Sequence, residues 1–292
     1  MPEAQIKSHT SESVCNNNEE RQKKIDELRK MIEDYDILNI RTDDIFLTRF
    51  LSCCEWNAVD AFNRIKKLFK LKYEHPKWFL NRKLADCNDI LKQNAKLMLP
   101  GRDIKGRRVY LSRMSAVGQM SLYDLALLDD LWFEAMLNEN ETIENGIVVL
   151  VDMSGYSWKM LKWLAPTNVK VASTKAELLP LKQMEVHVVN SSALMNTAIS
   201  LVFPLLSQSI KDQVHFHYQN FSSLHEYIGI EVCPDIYGGL QKLEFCDLNN
   251  YLYKHEDYLN KSLTYGFIKS PSEVVKDKKK QKKESLVIAE GI

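Results

Sequence analysis

Between Val186 and Ile210 the chain carries no aspartate, glutamate, lysine or arginine, although 27% of its 292 residues are charged. A membrane span needs an apolar run of about 20 residues, and that is absent too. Asn190, Ser191, Ser192, Asn196, Thr197, Ser200, Pro204 and Ser207 interrupt the uncharged stretch. None of the six cysteines (Cys15, Cys53, Cys54, Cys87, Cys233 and Cys246) stands in a C-x-x-C pair, which argues against zinc or dithiol redox sites and for buried or idle thiols. Neither a G-x-S-x-G elbow, a G-x-x-x-x-G-K phosphate loop nor a G-x-G-x-x-G dinucleotide turn occurs, so the common nucleophile and phosphate cradles are missing. The opening MPEAQIKSHTSESVCNNNEE lacks the apolar core of a secretory signal. It reads as a flexible polar tail over residues 1–19, and a cytoplasmic protein with reduced thiols is expected.

Formal charge is zero, but Lys276 to Lys283 holds six lysines and one aspartate, so the remainder sums to minus five. A mildly acidic body lacks the basic face of a nucleic-acid binder, and no nucleic-acid partner is expected.

What is present begins with helical periodicity over residues 20–94. Ile25, Leu28, Met31, Ile32, Tyr35 and Leu38 make one apolar stripe; Phe46, Leu47, Phe50 and Leu51 follow the N-cap candidate Asp43; Ala61, Phe62, Ile65, Leu68 and Phe69 make a third. A further helical stretch leads to Pro100. Over residues 95–245 short apolar strands alternate with helices. Strands are predicted at 107–114, 146–153, 185–192 and 213–220, with helices at 121–141 and 167–179 between them. That alternation implies βαβ crossovers and a mostly parallel sheet. Residues 246–268 are expected to close the fold as a helix, which the periodicity starts at Phe245, and 269–292 to form a Lys-rich flexible tail.

The uncharged stretch reads as a helix. Leu194, Ala198, Leu201 and Leu205 fall on one line and Ile199, Val202, Phe203, Leu206 and Ile210 on another beside it, an apolar arc of roughly 200° where core docking needs about 100°. Such a helix is either sandwiched inside a core or serves as a lid between an apolar ligand and a bilayer, with Pro204 permitting a bend. Catalytic groups are sparse. Asp152 at the end of a strand reads as a helix or turn cap, and His187, His215 and His217 read as satisfied strand histidines rather than metal ligands. No cofactor or metal is expected, and a hydrolase using Ser154 is the weakest reading.

Several ordered motifs resemble the CRAL-TRIO lipid-binding family over roughly residues 20–245: DDIFLTRFLS, PGRDIKGRRVYL, NGIVVLVDMSGY, LPLKQMEVHVVNSS, FPLLSQSIKDQVHFH and PDIYGGL. The closest likeness is to its tocopherol-transfer-like branch. The resemblance implies an α/β fold in which an N-terminal helical domain precedes a mostly parallel sheet, with flanking helices enclosing an apolar ligand cavity. It also implies that the helix around Asn196 to Ile210 is a mobile gate. A gate facing ligand and bilayer cannot carry a desolvated charge, which would explain the uncharged stretch. Candidate cavity residues are Trp132, Phe133, Ile147, Val149, Val151, Tyr156, Trp158, Val186, Val188, Ile199, Val202, Phe203 and Leu206. Lys182 and Lys211 match two of the branch's basic positions for a phosphoinositide headgroup, while Met184, Ser209 and Gln213 stand where further basic residues are expected. The implied protein is a monomeric, non-enzymatic carrier of a small hydrophobic ligand (tocopherol-like, retinoid or phospholipid) that visits anionic membranes transiently. The other reading is a phosphoinositide-sensing trafficking or signalling adaptor.

Overall fold

The structure is a computed structural model that describes residues 3–268. Helix α1 runs from Glu3 to Glu33, so residues 3–19 of the expected tail form the first half of a helix; no proline or glycine interrupts residues 3–33. After the short strand β1 (Leu38–Asn39), α2 (Asp44–Ser52) starts where the Asp43 side chain accepts the Phe46 N–H at 3.2 Å. In α3 (Ala58–Glu74) the Asn57 side chain caps the first turn in the same way. Their apolar stripes meet in one core that includes Leu28, Leu47, Phe50, Ala61 and Ile65. Each large aliphatic or aromatic side chain buried there contributes about 1.5–3 kcal/mol.

A short helix α4 (Asn88–Leu91) leads into the edge strand β2 (Lys96–Arg102), which pairs antiparallel with β3 (Arg108–Arg113). β2 replaces the helical stretch expected before Pro100. Pro100 and Gly101 mask a strand pattern, and they are tolerated because β2 is an edge whose register shifts between Met98 and Arg102.

From β3 onward the strands are parallel. α5 (Leu122–Met136), opened by a capping box of Ser121 and Asp124, and α6 (Asn140–Asn145) lead to β4 (Ile147–Asp152). α7 (Pro166–Leu178) leads to β5 (Met184–Val189); α8 (Ala193–Val202) and α9 (Gln208–Lys211) lead to β6 (Val214–Tyr218). Gly146 enters β4 at φ +86°, where a Cβ would lie 2.2 Å from the Gln183 carbonyl, so only glycine fits. The sheet order is β2-β3-β4-β5-β6. Parallel neighbours in sequence order need crossovers, and because such crossovers are right-handed as a rule, their helices fall on one face. The opposite face carries Val109, Leu111, Val148, Leu150 and Val189, covered by Leu224 and Ile228 of α10 (Phe221–Ile228) and by Tyr237.

The C-terminal segment departs from the expected single helix. It forms α11 (Phe245–Leu248), α12 (Asn250–Tyr253) and α13 (Glu256–Ser262), then β7 (Gly266–Phe267), which pairs antiparallel with β1. At the junction of α11 and α12 the buried Asn249 side-chain amide donates to the Leu91 carbonyl and to Asn94 Oδ1, fastening the segment to the turn before β2. A buried polar joint ties α2, α5 and α13 together: Arg49 donates to Glu134 at 3.0 Å and to the Tyr258 hydroxyl at 2.7 Å. The Lys276 to Lys283 run lies outside the described residues.

Candidate ligand-binding site

The carboxyl ends of the parallel strands are fastened by Asp152. Its Oδ1 accepts the Ser154 N–H and the Asn190 amide, both at 2.9 Å, and its Oδ2 accepts the Tyr237 hydroxyl at 2.8 Å. Burial alone would raise the Asp152 pKa, but these hydrogen bonds hold it below the usual aspartate value. Asn190 takes a left-handed φ of +54° and donates its backbone N–H to the Tyr218 carbonyl, so the Asp152–Asn190 side-chain bond and this backbone bond together join β4, β5 and β6. Asp152 is thus a turn anchor, and the Ser154 hydrolase reading gains no base from it. The turn closes with the Tyr156 N–H on the Met153 carbonyl. Gly155 sits at φ +77°, where a Cβ would press within 2.8 Å of Ser115 Cα, and this tight turn sets the position of Tyr156.

Beside this turn lies a cavity of about 410 Å³, within the range of small-molecule sites. Its floor is built across three strands in register, Val151 opposite Val188 and Val188 opposite Phe216, with Val214 beside them. Leu122 and Leu125 of α5, Val169 of α7 and Trp163 form walls, and Ala198, Ile199, Val202, Phe203 and Leu206 form the roof. Among the described residues no charged side chain lines it.

The roof is not the continuous helix expected as far as Ile210. α8 stops at Val202, because Pro204 has no N–H for the helical ladder, and Phe203–Leu205 form a single 3-10 turn. Ser207 then caps α9. Apart from Ala198, which also lines the cavity, the two apolar lines separate in space: Ile199, Val202, Phe203 and Leu206 look into the cavity, while Leu201 (55% exposed) and Leu205 (48%) face out. Leu194 and Asn196, part of the same stretch, lie outside the residues whose side chains are described.

Of the cavity candidates read from the sequence, Val151, Tyr156, Val188, Ile199, Val202, Phe203 and Leu206 line this space. The other six do not. Trp132 is wholly buried in the core, its ring stacked 6.3 Å from Tyr251. Phe133 packs against Tyr110 at 5.1 Å, and Ile147 belongs to the same core. α5 is apolar on nearly every side, so its aromatic pair faces the core while Leu122 and Leu125 face the cavity. Val149 and Val186 share the cavity face of the sheet, half-buried and beyond the lining, and Trp158 is 69% exposed. Periodicity alone missed Trp78, Trp163, Val169 and Phe216; the Trp158–Leu164 run, with two tryptophans in seven residues, was the available signal. Asp129 of α5 is engaged by Lys96 at 2.6 Å and accepts the Tyr110 hydroxyl at 2.8 Å.

Lys182 precedes β5, 3.5 Å from Glu144, and Lys211 ends α9. With Val186 opposite Val214, both lysines fall at the amino-terminal end of neighbouring strands. The histidines occupy the face away from the cavity. His187 Nδ1 lies 2.8 Å from His217 Nε2, and His217 Nδ1 lies 2.6 Å from Ser223 Oγ. Next to the cavity, sharing Leu122, Trp163 and Asn168 with it, is a more polar groove of about 460 Å³ that holds Ser121, Ser157, Lys159 and Lys162. No helix among the described residues is long and apolar enough to cross a membrane.

An uncharged cavity between a mostly parallel sheet and an apolar roof helix defines an α/β protein that encloses a hydrophobic molecule. The chain belongs to the CRAL/TRIO family: the CRAL/TRIO domain matches residues 92–239, and with it comes lipid binding in general terms. It is 29% identical over 227 residues to Clavesin-2 of Homo sapiens, covering 74% of this chain and 68% of that protein. To Clavesin-1 of Xenopus laevis it is 27% identical over 209 residues, covering 70% and 63%. Among solved structures, Sfh5 superposes with a TM-score of 0.53 at 13% identity, covering 82% of this chain and 96% of that one, a likeness of fold.

Proposed function

We propose that the protein is a non-enzymatic carrier that holds one small hydrophobic molecule, tocopherol-like, retinoid or phospholipid, and exchanges it at membranes through the α8 roof. The observation that carries this reading is the two-sided roof. Five of its described side chains close a cavity in which no described lining residue is charged, while Leu201 and Leu205 present hydrocarbon to the outside. A membrane supplies the partner for that outer face, and a roof bound to the bilayer no longer has to cover the cavity. Opening then follows from differential contact of the roof with bilayer and with protein. Lys211, at the end of α9, continues the roof toward Lys182. Together they suit an anionic headgroup, where each lysine adds about 1 kcal/mol near the surface.

Transfer of a fluorescent lipid between donor and acceptor vesicles tests the reading. A carrier accelerates transfer in proportion to its concentration and ends with ligand in the acceptor. Recruitment to vesicles without any transfer would instead describe a phosphoinositide-sensing adaptor.

A further inference from the structure

The apolar cavity borders a space of different character. Leu122, Trp163 and Asn168 line both the cavity and the polar groove beside it. Beyond that border the groove is lined by Gln119, Ser157, Lys159 and Lys162, with two lysines and, among the described lining residues, no carboxylate. Asp124, which follows the groove residue Tyr123, is already held by Arg82 at 3.0 Å and by the Ser121 hydroxyl at 2.8 Å. The Trp158–Leu164 turn that carries both lysines packs against α8, and α8 brings no acid to them because Val186 to Ile210 holds none. The groove therefore places uncompensated positive charge at the edge of the hydrocarbon cavity.

An ionised group inside the cavity would exchange its water for a hydrocarbon wall. Carried on an apolar chain, the same group reaches opposite charge just across the border, where Trp163 supplies the apolar body and polar edge that suit such a boundary. We propose that the ligand is an anionic amphiphile whose hydrocarbon occupies the 410 Å³ cavity and whose phosphate or carboxylate head lies in the groove against Lys159 and Lys162. This rests on the carrier reading above and narrows its ligand class. The cavity takes the chain, and the two lysines select the head.

The test is equilibrium dialysis of the full chain, without vesicles, against dodecyl phosphate, dodecan-1-ol and glycerol 3-phosphate below their micellar concentrations, read by mass spectrometry. The wild type should bind both chain ligands, and should bind glycerol 3-phosphate more than about a hundredfold more weakly than dodecyl phosphate, since chain burial drives binding. In Lys159→Gln with Lys162→Gln, dodecyl phosphate should lose about tenfold in affinity, the effect of two solvent-exposed charge contacts. Dodecan-1-ol should bind that variant unchanged, which also shows that it is folded. Val151→Phe, which fills the cavity, should weaken both chain ligands together. Undiminished dodecyl phosphate binding in the lysine variant overturns the proposal, and loss of recruitment to phosphatidylserine vesicles in that same variant would then assign the lysines to the bilayer surface. Dodecyl phosphate binding that is indifferent to Val151→Phe, or matched by glycerol 3-phosphate, overturns it as well. In each case retained dodecan-1-ol binding leaves the carrier reading standing; if the wild type binds neither chain ligand, that reading fails with the proposal.

Discussion

The ring of Phe203 lies 5.9 Å from that of Phe216, so the residue that follows α8 rests directly on the floor strand β6. This contact closes the roof over the cavity, and it assigns the two sides of the roof different roles. Phe203 seals, whereas Leu201 and Leu205 face the surroundings.

Replacing the outer pair should therefore disconnect the protein from membranes without disturbing its interior. Leu201→Glu with Leu205→Glu is expected to lower vesicle-to-vesicle transfer at least tenfold, because each leucine inserted in a bilayer is stabilised by about 1.5–3 kcal/mol. The thermal midpoint should stay within a few degrees. Transfer at the wild-type rate would show that the roof does not enter the bilayer.

Bulk added to the floor should evict ligand rather than strain the core. Val151→Phe and Val188→Phe point extra carbon into the 410 Å³ space. Both are expected to reduce bound ligand several-fold at unchanged or raised stability. Destabilisation by more than about 3 kcal/mol in chemical denaturation, the upper range for overpacking, would place these residues in closed core.

Trp132 gives the opposite outcome. Fully buried and stacked on Tyr251, it should cost about 3–5 kcal/mol as Trp132→Ala, read by urea unfolding. Ligand selectivity, measured in whatever fraction remains folded, should not change.

Stability should fall on mild acidification because of the histidine face. Burial and the neighbouring His217 and His215 lower the His187 pKa from 6.5 to about 4. Between those values the unfolded chain binds the proton and the folded one does not, so stability is full above about pH 6.5 and declines as pH drops toward about 4. Glu139 acts lower down. Burial alone would raise its pKa, but hydrogen bonds from Arg108, Thr142 and Tyr251 hold it at about 2, so its stabilisation is lost as pH falls from about 4.5 toward 2. His187→Gln should be less stable at pH 7.5, having lost the bond to His217, with a flatter midpoint-versus-pH curve from 7 to 4.5. An equally steep curve would remove His187 as its source.

Much of this was legible in the sequence for identifiable reasons. Strand β4 announces itself as a Val-rich run, β3, β5 and β6 as short apolar or alternating segments between helical stretches, and the uncharged stretch announces the roof. β2 was hidden because Pro100 and Gly101 are strand breakers except at an edge. Trp132 and Phe133 were misassigned because α5 is apolar on nearly every side, so periodicity could not say which side met the core. The floor residues Val151 and Val188 follow from alternation, whereas Trp78, Trp163 and Val169 reach the cavity from three separate segments that only the fold brings together.

The central claim is that the cavity holds a hydrophobic molecule, and organic extraction of freshly purified protein, with mass spectrometry against a mock purification, tests it most directly. The account predicts one lipid or isoprenoid species at close to one molecule per chain, or the same stoichiometry after incubation with a membrane lipid mixture. An extract matching the mock both before and after that incubation would contradict it.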